Sequence, residues 1–356
     1  VADPAAAVQP SRTGTELSRP DSLPAAHAQS PLRRTEPMNA AAIAFLHQHL
    51  LAALQPAPTE TRRLFHGRGR CYPGLEHLTV DWLQGVLLVA LFRQPSDAEL
   101  AALKQMLLAC TQTASWQHSQ AHSLLLHHRY LQESSSEWLL GEVLDECLIS
   151  ENGLRYKLDL GQKQNSGLFL DMRYGRQWVQ AQAREQRVLN LFAYTCGFSV
   201  AAIAGGAAHV VNLDMARAAL SRGRDNHRLN QHDLSRVSFL GHELFKSWGK
   251  VKKCGPYDLV IIDPPTFQKG SFALSKDYQR ILRQLPELLT PQGTVLACVN
   301  DPDVGPEFLI ESMAREAPTL KFSERLENPP EFPDISAASG LKALVFRQQP
   351  QTDADA

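Results

Sequence analysis

The sequence predicts an α/β protein in which a small α+β domain precedes a doubly wound, mostly parallel sheet. Three short apolar runs, at 188–192, 210–213 and 258–262, alternate with segments of helical periodicity. Such alternation is typical of βαβ units and of a parallel sheet. The second and third runs are each followed by an acidic residue, Asp214 and Asp263. Because ligands of these sheets bind beyond the carboxyl ends of the strands, we expect both side chains to reach one site.

Composition limits the classes of function. The chain has 356 residues, enough for roughly two domains, and a formal net charge of −1, which excludes a generally basic nucleic-acid binder but allows a local basic patch. Six scattered cysteines give no zinc-ligand spacing and suit a reducing cytoplasm, so we expect a cytoplasmic protein. The longest apolar run, at 86–92, is far below the ~20 residues of a membrane span, so no membrane partner is predicted.

Both ends of the chain are predicted to be disordered. Residues 1–37 are rich in Ala, Pro, Ser and charge, and they lack the apolar region of a signal peptide. Met38 directly precedes the first helical pattern, and we hypothesise that it is the native start. A short disordered tail is predicted at 351–356.

Residues 38–163 predict the small α+β domain. Ile43, Leu46, Leu50 and Leu54 have helical spacing, and Ser96 with Glu99 forms a capping box at the start of a second helix. Hairpins are predicted around Gln84-Gly85 and, most clearly, around Asn152-Gly153, because Asn-Gly supplies the positive φ angles of a type I′ turn. His118 and His122 have i,i+4 spacing, but no acidic motif lies between them, so no metal is predicted.

The stretch from Arg62 to Arg70 is basic and punctuated by glycine, and Tyr72 follows it. One interpretation is a loop that contacts phosphates, with Tyr72 stacking on a base, and the other is a solvated arginine loop. Four more candidate phosphate contacts are Lys163, Arg173, Lys269 and Lys276.

Residues 164–350 predict the doubly wound domain and its cofactor. Asp214 lies roughly two dozen positions after Asn190, a spacing that suits a ribose hydroxyl pair. The intervening loop holds the single glycine Gly197 instead of a glycine-rich fingerprint, which argues against a pyrophosphate-containing cofactor such as NAD. S-adenosylmethionine fits this pattern, and a doubly wound domain without a nucleotide is the alternative.

Three motifs resemble those of the bacterial large-subunit ribosomal-RNA methyltransferases. They read Ser-Gly-Leu-Phe-Leu-Asp-Met-Arg at 166–173, Val-Leu-Asn-Leu-Phe-Ala-Tyr-Thr at 188–195 and Asp-Pro-Pro-Thr-Phe at 263–267. The resemblance covers about residues 60–347, without the amino-terminal RNA-binding PUA domain of the cytosine branch. It implies a Rossmann-like class I methyltransferase fold, S-adenosylmethionine as cofactor, and methylation of cytosine C5 or guanine N7 in 23S rRNA.

The resemblance also implies a set of cofactor-binding residues. Tyr194, Thr195 and Gly197 would line the methionine end, and Asp214 would accept hydrogen bonds from both ribose hydroxyls, as suits a carboxylate. Glu243 with Leu244 would flank adenine, although Glu243 alternatively reads as a carboxylate at a helix amino terminus. The full set implied is Phe169, Asp171, Arg173, Asn190, Phe192, Tyr194, Thr195, Gly197, Asp214, Met215, Glu243, Leu244 and Asp263.

The candidate catalytic residues follow from the chemistry. Methyl transfer from a sulfonium is an in-line displacement that depends on positioning, and Asp263, Pro264 and Pro265 form a rigid turn rich in carbonyls. Phe267 can stack on an extruded base, or alternatively lie in the core. Cytosine C5 needs a thiolate that adds at C6, and Cys298 is the candidate, whereas guanine N7 has its own lone pair. The alternative is that Cys298 is simply buried.

Two other functions stay open at this stage. A methyltransferase of a protein or small molecule would have an enclosed pocket and an affinity that is insensitive to salt. A non-catalytic RNA-binding module with a vestigial cofactor site would bind RNA without measurable cofactor affinity. The charge balance is compatible with all of these functions.

Overall fold

A computed structural model of the chain describes residues 36–131, 135–161, 165–268 and 272–349. Nearly all of the predicted disordered extension, the predicted tail, Lys163 and Lys269 lie outside these ranges. Among the helices of the described part, none is long and apolar enough to cross a membrane.

The first sheet has five strands in the order β1-β2-β3-β4-β5. Its strands pair antiparallel except for β3 and β4, which are parallel and are joined by two helices. Its elements are α1 (Ala40–Ala53), β1 (Arg62–His66), β2 (Leu78–Leu83), β3 (Val86–Leu91), α2 (Asp97–Cys110), α3 (Ala114–His118), β4 (Ser123–His128) and β5 (Ser135–Leu140).

Local sequence signals explain these elements. The Asn39 side chain caps α1 by accepting the Ala42 N–H, and Leu46 and Leu50 are buried beneath the helix. The capping box of Ser96 and Glu99 at the start of α2 is confirmed. The hairpin of β2 and β3 is confirmed as well, with left-handed backbone at its two turn residues.

A separate hairpin follows, made of β6 (Glu146–Glu151) and β7 (Leu154–Asp159). Its turn residues Asn152 and Gly153 have φ angles of 51° and 73°, as predicted for a type I′ turn. The hairpin docks on a later part of the chain, where Asn226 accepts the backbone N–H of Lys157 at 2.9 Å.

The second sheet has seven strands in the order β10-β9-β8-β11-β14-β16-β15. Strands β10, β9, β8, β11 and β14 are parallel, and β16 runs antiparallel to both of its neighbours. Its elements are α4 (Arg173–Gln182), β8 (Arg187–Leu191), α5 (Gly197–Ala204), β9 (His209–Leu213), α6 (Arg217–Leu229), β10 (Val237–Leu240), α7 (Trp248–Lys253), β11 (Tyr257–Ile262), β12 (Phe267–Gln268), β13 (Phe272–Ala273), α8 (Leu274–Leu282), α9 (Leu285–Leu288), β14 (Leu289–Val299), α10 (Glu307–Glu316), β15 (Leu320–Leu326) and β16 (Lys342–Gln348).

This arrangement confirms the predicted doubly wound, mostly parallel sheet. One apolar cluster packs on each face, with Leu189 and Val260 on one side and Val188 and Leu259 on the other. The chain order reverses at the neighbouring strands β8 and β11. A crevice at such a reversal is the expected place for a ligand.

A shared apolar cluster joins the two sheets. It contains Leu83 and Leu125 of the first sheet, Tyr156 of the hairpin, and Leu170 and Val200 of the second domain. The predicted domain boundary at 163–164 lies outside the described residues and remains a prediction.

A buried ion pair reinforces this junction. Arg176 on α4 donates from Nε and Nη2 to the two carboxylate oxygens of Glu151 at 2.7 and 2.8 Å, and the two side chains are 4% and 1% exposed. Nη2 also donates to the Phe169 carbonyl at 2.9 Å. The pair therefore ties the hairpin, the linker before α4 and α4 itself together.

We expect Glu151→Ala to lower the free energy of unfolding by about 3–5 kcal/mol, because it leaves the Arg176 guanidinium buried without its partner. Urea denaturation followed by circular dichroism measures this change. Asp225→Ala, which breaks an exposed pair with Arg228, is the control and should have little effect. Equal effects of the two variants would contradict a special role for the buried pair.

Candidate functional site

The loop between β8 and α5 has an unusual backbone. Phe192, Tyr194 and Cys196 have φ angles of 58°, 48° and 64°, although none of them is glycine. Left-handed residues of this kind cost free energy, and they persist where the surrounding structure holds them. They are typical of binding sites.

Asp214 holds this loop in place. Its Oδ2 atom accepts the backbone N–H of Tyr194 at 2.8 Å, and Oδ1 accepts that of Ala216 at 2.8 Å. Burial raises the pKa of this carboxyl, and the two N–H groups partly offset that effect. Each carboxylate oxygen has further lone pairs, so Asp214 can still accept hydrogen bonds from a ligand.

Two cavities lie on either side of the linker before α4, with volumes of about 360 and 460 Å³. The cavity next to Asp214 is the one of 460 Å³. That size suits a small-molecule site. Its wall consists of Asn165, Gly167, Leu168, Phe169, Asp171, Met172, Arg176, Phe192, Ala193, Tyr194, Thr195, Gly197, Phe198, Asp214, Ala216, Asp263, Pro264, Pro265, Thr266, Asn300 and Leu341. We call it the cofactor cavity. The predicted convergence of Tyr194, Asp214 and Asp263 is thus observed.

Two carboxyl groups, those of Asp171 and Asp263, line this cavity and influence each other's charge. Burial raises the pKa of Asp263 to about 7, the nearby Asp171 carboxylate raises it further, and Arg176 opposes the shift. Burial also raises the pKa of Asp171, whose Oδ2 accepts from Asn300 Nδ2 at 3.2 Å. The cavity therefore offers acidic groups that favour a cationic ligand.

A small pocket beside Asp214 is mostly apolar. Phe192, Leu213, Met215, Leu244 and Phe245 line it, together with His242 and Glu243. The Glu243 carboxylate caps the short helical turn that follows by accepting the Phe245 N–H at 2.8 Å. Glu243 thus has the helix-capping role that the sequence left open, while it also lies in the pocket wall.

The structure corrects two predicted cofactor contacts. Asn190 is buried within the sheet, donates to Asn212 Oδ1 at 2.9 Å, and lines neither cavity. Arg173 lines neither cavity and donates to Glu331 Oε1 at 2.9 Å. Arg176, one helical turn later, takes the place in the wall that Arg173 was expected to have.

Cys298 is a third correction. Its side chain is fully buried among Val188, Leu296 and Val345 on the face of the sheet opposite Val295 and Ala297, and it lines neither cavity. Burial raises the pKa of its thiol well above the usual value. The structure thus gives a nucleophilic role for Cys298 no support and agrees with the alternative of a buried thiol.

The turn after β11 lies where the sequence predicts it. Pro264, Pro265 and Thr266 line the cofactor cavity next to Asp263. The Phe267 backbone begins β12 and pairs with Ala273, and nothing further is described of its side chain. Its predicted stacking on a base therefore stays a prediction.

A second cavity of 360 Å³ adjoins the first, and we call it the outer cavity. Both share a wall made of Asn165, Gly167, Leu168, Phe169, Asp171, Asn300 and Leu341. Arg63 and Arg68 from the predicted basic stretch line it, as do Arg129 and His127 of the first domain. Tyr72 instead packs against Phe65, with ring centroids 4.9 Å apart, so the predicted stacking role of Tyr72 has no support.

Sequence reasoning missed several wall residues. Asn300 directly follows β14, so the strand-end rule that selected Asp214 and Asp263 could have found it. Arg176 and Arg129 carry no such signal, since each looks like an ordinary polar residue within its element. Lys276 on α8 lines neither cavity. Within the described ranges, no group of three metal-binding side chains comes together.

The sheet order, the strained loop, the acidic residue after β9 and the cavity beside it together define a class I, Rossmann-like methyltransferase. A family model described as S-adenosylmethionine-dependent methyltransferase matches residues 62–347. The chain belongs to this family. It is therefore an enzyme that uses S-adenosylmethionine, which sets aside the non-catalytic alternative.

Two relatives are named as large-subunit ribosomal RNA methyltransferases. The chain is 30% identical over 273 residues to ribosomal RNA large subunit methyltransferase I of Aliivibrio fischeri strain MJ11, covering 74% of this chain and 68% of the relative. It is 26% identical over 315 residues to the putative ribosomal RNA large subunit methyltransferase YwbD of Bacillus subtilis strain 168, covering 82% and 75%. The crystal structure of SMU.776, a putative methyltransferase complexed with SAH, has the same fold, with a TM-score of 0.73 at 23% identity over 86% of this chain and 81% of that one.

The cofactor cavity fits S-adenosylmethionine, which when bound supplies an electrophilic methyl group on a sulfonium. Asp214 would accept the ribose hydroxyls, and the small apolar pocket with Met215 and Leu244 would hold the adenine. The cationic methionine end would then lie against the wall from Tyr194 to Gly197 and near the carboxyl groups of Asp171 and Asp263. Ionised carboxylates attract such charges.

We expect Asp214→Ala to weaken binding of S-adenosylhomocysteine by about 10- to 150-fold, the loss of about 1.5–3 kcal/mol typical of hydrogen bonds to a charged group. Isothermal titration calorimetry measures the affinity. Asp233→Ala is the matched control, because Asp233 also accepts a backbone N–H but lies away from both cavities. Unchanged affinity of Asp214→Ala would remove this residue from the site.

The raised pKa of Asp263 predicts a pH effect on cofactor selectivity. Asp263 is mainly neutral below its pKa of about 7 and mainly ionised above it, so the attraction to a sulfonium grows as the pH rises from 6 to 8. S-adenosylhomocysteine has an uncharged sulfur and does not feel this attraction. The ratio of the affinity for S-adenosylmethionine to the affinity for S-adenosylhomocysteine should therefore increase from pH 6 to pH 8. The increase should disappear in Asp263→Asn, and a wild-type selectivity that is flat with pH would refute the assignment.

Proposed function

We propose that this enzyme methylates a base of large-subunit ribosomal RNA, in the 23S rRNA. The named relatives support this substrate class. The observation that carries the proposal is the turn of Asp263, Pro264 and Pro265, which lines the cofactor cavity together with Asp171 and Asn300, two residues that also line the outer cavity. A base that enters from the outer cavity would therefore meet this turn beside the methyl donor.

The chemistry of the turn suits a nucleobase. Proline has no backbone N–H, so Pro264 and Pro265 present carbonyl oxygens without a competing donor. Asp263 adds a carboxyl group that accepts hydrogen bonds when ionised. Such a turn would bind the N–H edge of a base, and an in-line displacement needs this orientation more than it needs further chemical groups.

Of the two candidate atoms, we propose guanine N7 over cytosine C5. All six cysteines lie in the described ranges, and none of them lines either cavity. Methylation at cytosine C5 requires a thiolate next to the base, whereas guanine N7 reacts through its own lone pair. The motif Asp-Pro-Pro-Thr-Phe at 263–267 also resembles the guanine-N7 branch more closely.

Mass spectrometry of ribosomal RNA tests the substrate. RNA from cells that carry the gene should contain one methyl group more, on a guanine of the large-subunit RNA, than RNA from cells that lack it. Purified enzyme with S-adenosylmethionine should restore the group in the deficient RNA. Identical methylation in both RNA pools would overturn the proposal, and an added methyl on cytosine would overturn the choice of atom.

Cys298→Ala tests the chemistry separately. Because this thiol is buried away from both cavities, we expect the variant to keep its methylation rate within about 3-fold while its unfolding midpoint falls modestly from the small cavity created. Single-turnover methylation and thermal unfolding measure the two effects. Abolished methylation in a variant of unchanged stability would restore the covalent route.

A further inference from the structure

Two guanidinium groups share one aromatic ring at the outer cavity. The Cζ atom of Arg68 lies 4.2 Å from the centroid of the Phe92 ring, and that of Arg129 lies 4.8 Å from the same centroid. The Cζ atoms of Arg68 and Arg129 are therefore separated by no more than the sum of these two distances. Among the described residues, neither arginine has a carboxylate at ion-pair distance, and Arg129 donates only to the neutral Asn165 Oδ1, at 2.9 Å.

The neighbouring arginine behaves differently. Arg63 lines the same cavity, but its Nε donates to Asp81 Oδ1 at 2.5 Å and its charge is thus compensated. Burial lowers the pKa of Arg129, and repulsion from Arg68 lowers it further. Asp171 and Asp81 also line this cavity and act on the two charges from beyond ion-pair distance. Two guanidinium groups that lie against one ring without a directly paired carboxylate form a site that an anion would stabilise, and guanidinium pairs with phosphate through paired hydrogen bonds.

A buried histidine supplies an independent observation. His127 lines the outer cavity, is 7% exposed, and its Nε2 atom has no hydrogen-bond partner within the part of the chain that the structure describes. Buried polar atoms in native proteins nearly always have a partner, and an unmet one costs free energy. A ligand oxygen in the outer cavity would provide this partner.

We propose that Arg68 and Arg129 form a clamp for a backbone phosphate of the RNA strand next to the target nucleotide. S-adenosylmethionine contains no phosphate, so a phosphate held here would belong to the substrate. Asn165 links this clamp to the cofactor cavity, because it contacts Arg129 through its side chain and its carbonyl accepts from the Tyr194 hydroxyl at 3.3 Å. The clamp rests on the proposed function and adds the part that holds the strand while the base enters.

The test compares Arg68→Gln and Arg129→Gln with Arg228→Gln, an exposed arginine of α6 that lines neither cavity. The probe is end-labelled large-subunit RNA from a strain lacking the gene, bound to the full chain on filters over a series of salt concentrations. Each clamp variant should weaken RNA binding by about 10- to 150-fold. Each should also flatten the plot of log affinity against log salt by about 0.7, the contribution of one phosphate contact to a single strand.

Three further readouts decide between explanations. Affinity for S-adenosylhomocysteine and the unfolding midpoint should stay at wild-type values, and Arg68→Lys, which keeps the charge, should keep the salt slope. If Arg68→Gln and Arg129→Gln both bind RNA as well as Arg228→Gln does, while the wild type methylates RNA, the clamp is refuted and the proposed function stands. A parallel loss of cofactor affinity would assign the arginines to the methionine carboxylate and overturn it too. A wild type that binds cofactor but neither binds nor methylates RNA would overturn the proposed function and the clamp together.

Discussion

The buried ion pair of Arg176 and Glu151 is the constraint on which the rest of the site depends. A guanidinium that is almost fully removed from water must keep its partner, and this partner belongs to the β6–β7 hairpin rather than to the second sheet. Arg176 also donates to the Phe169 carbonyl and lies in the wall of the cofactor cavity. One interaction thereby fixes the hairpin, the linker and the cavity wall relative to each other.

A second level of organisation comes from Asp214. It accepts the backbone N–H groups of Tyr194 and Ala216 without any ligand, and the bond to Tyr194 holds a loop of three left-handed, non-glycine residues in shape. The free energy needed for this backbone is met by the sheet and by the carboxylate instead of by the cofactor. A site that is formed in advance binds its ligand without the further cost of ordering the loop.

The success of the sequence analysis follows from one geometric rule. Residues that come directly after a parallel strand reach the site, as do Asp214 after β9, Asp263 after β11 and Asn300 after β14. Asn190 and Cys298 do not line the cavities because they lie inside β8 and β14, where side chains point into packed layers. Arg176 was out of reach for a different reason: its burial depends on Glu151, a contact between distant parts of the chain that local patterns do not reveal.

The linker that separates the two cavities has a thermodynamic consequence. Leu168, Phe169 and Asp171 form one partition with the cofactor cavity on one side and the outer cavity on the other. Any adjustment of this partition by one ligand is felt by the second, and linkage requires the influence to be mutual and equal in free energy. The two substrates of this enzyme are thus expected to report on each other's presence, so that an affinity measured for either one alone describes only half of a coupled equilibrium.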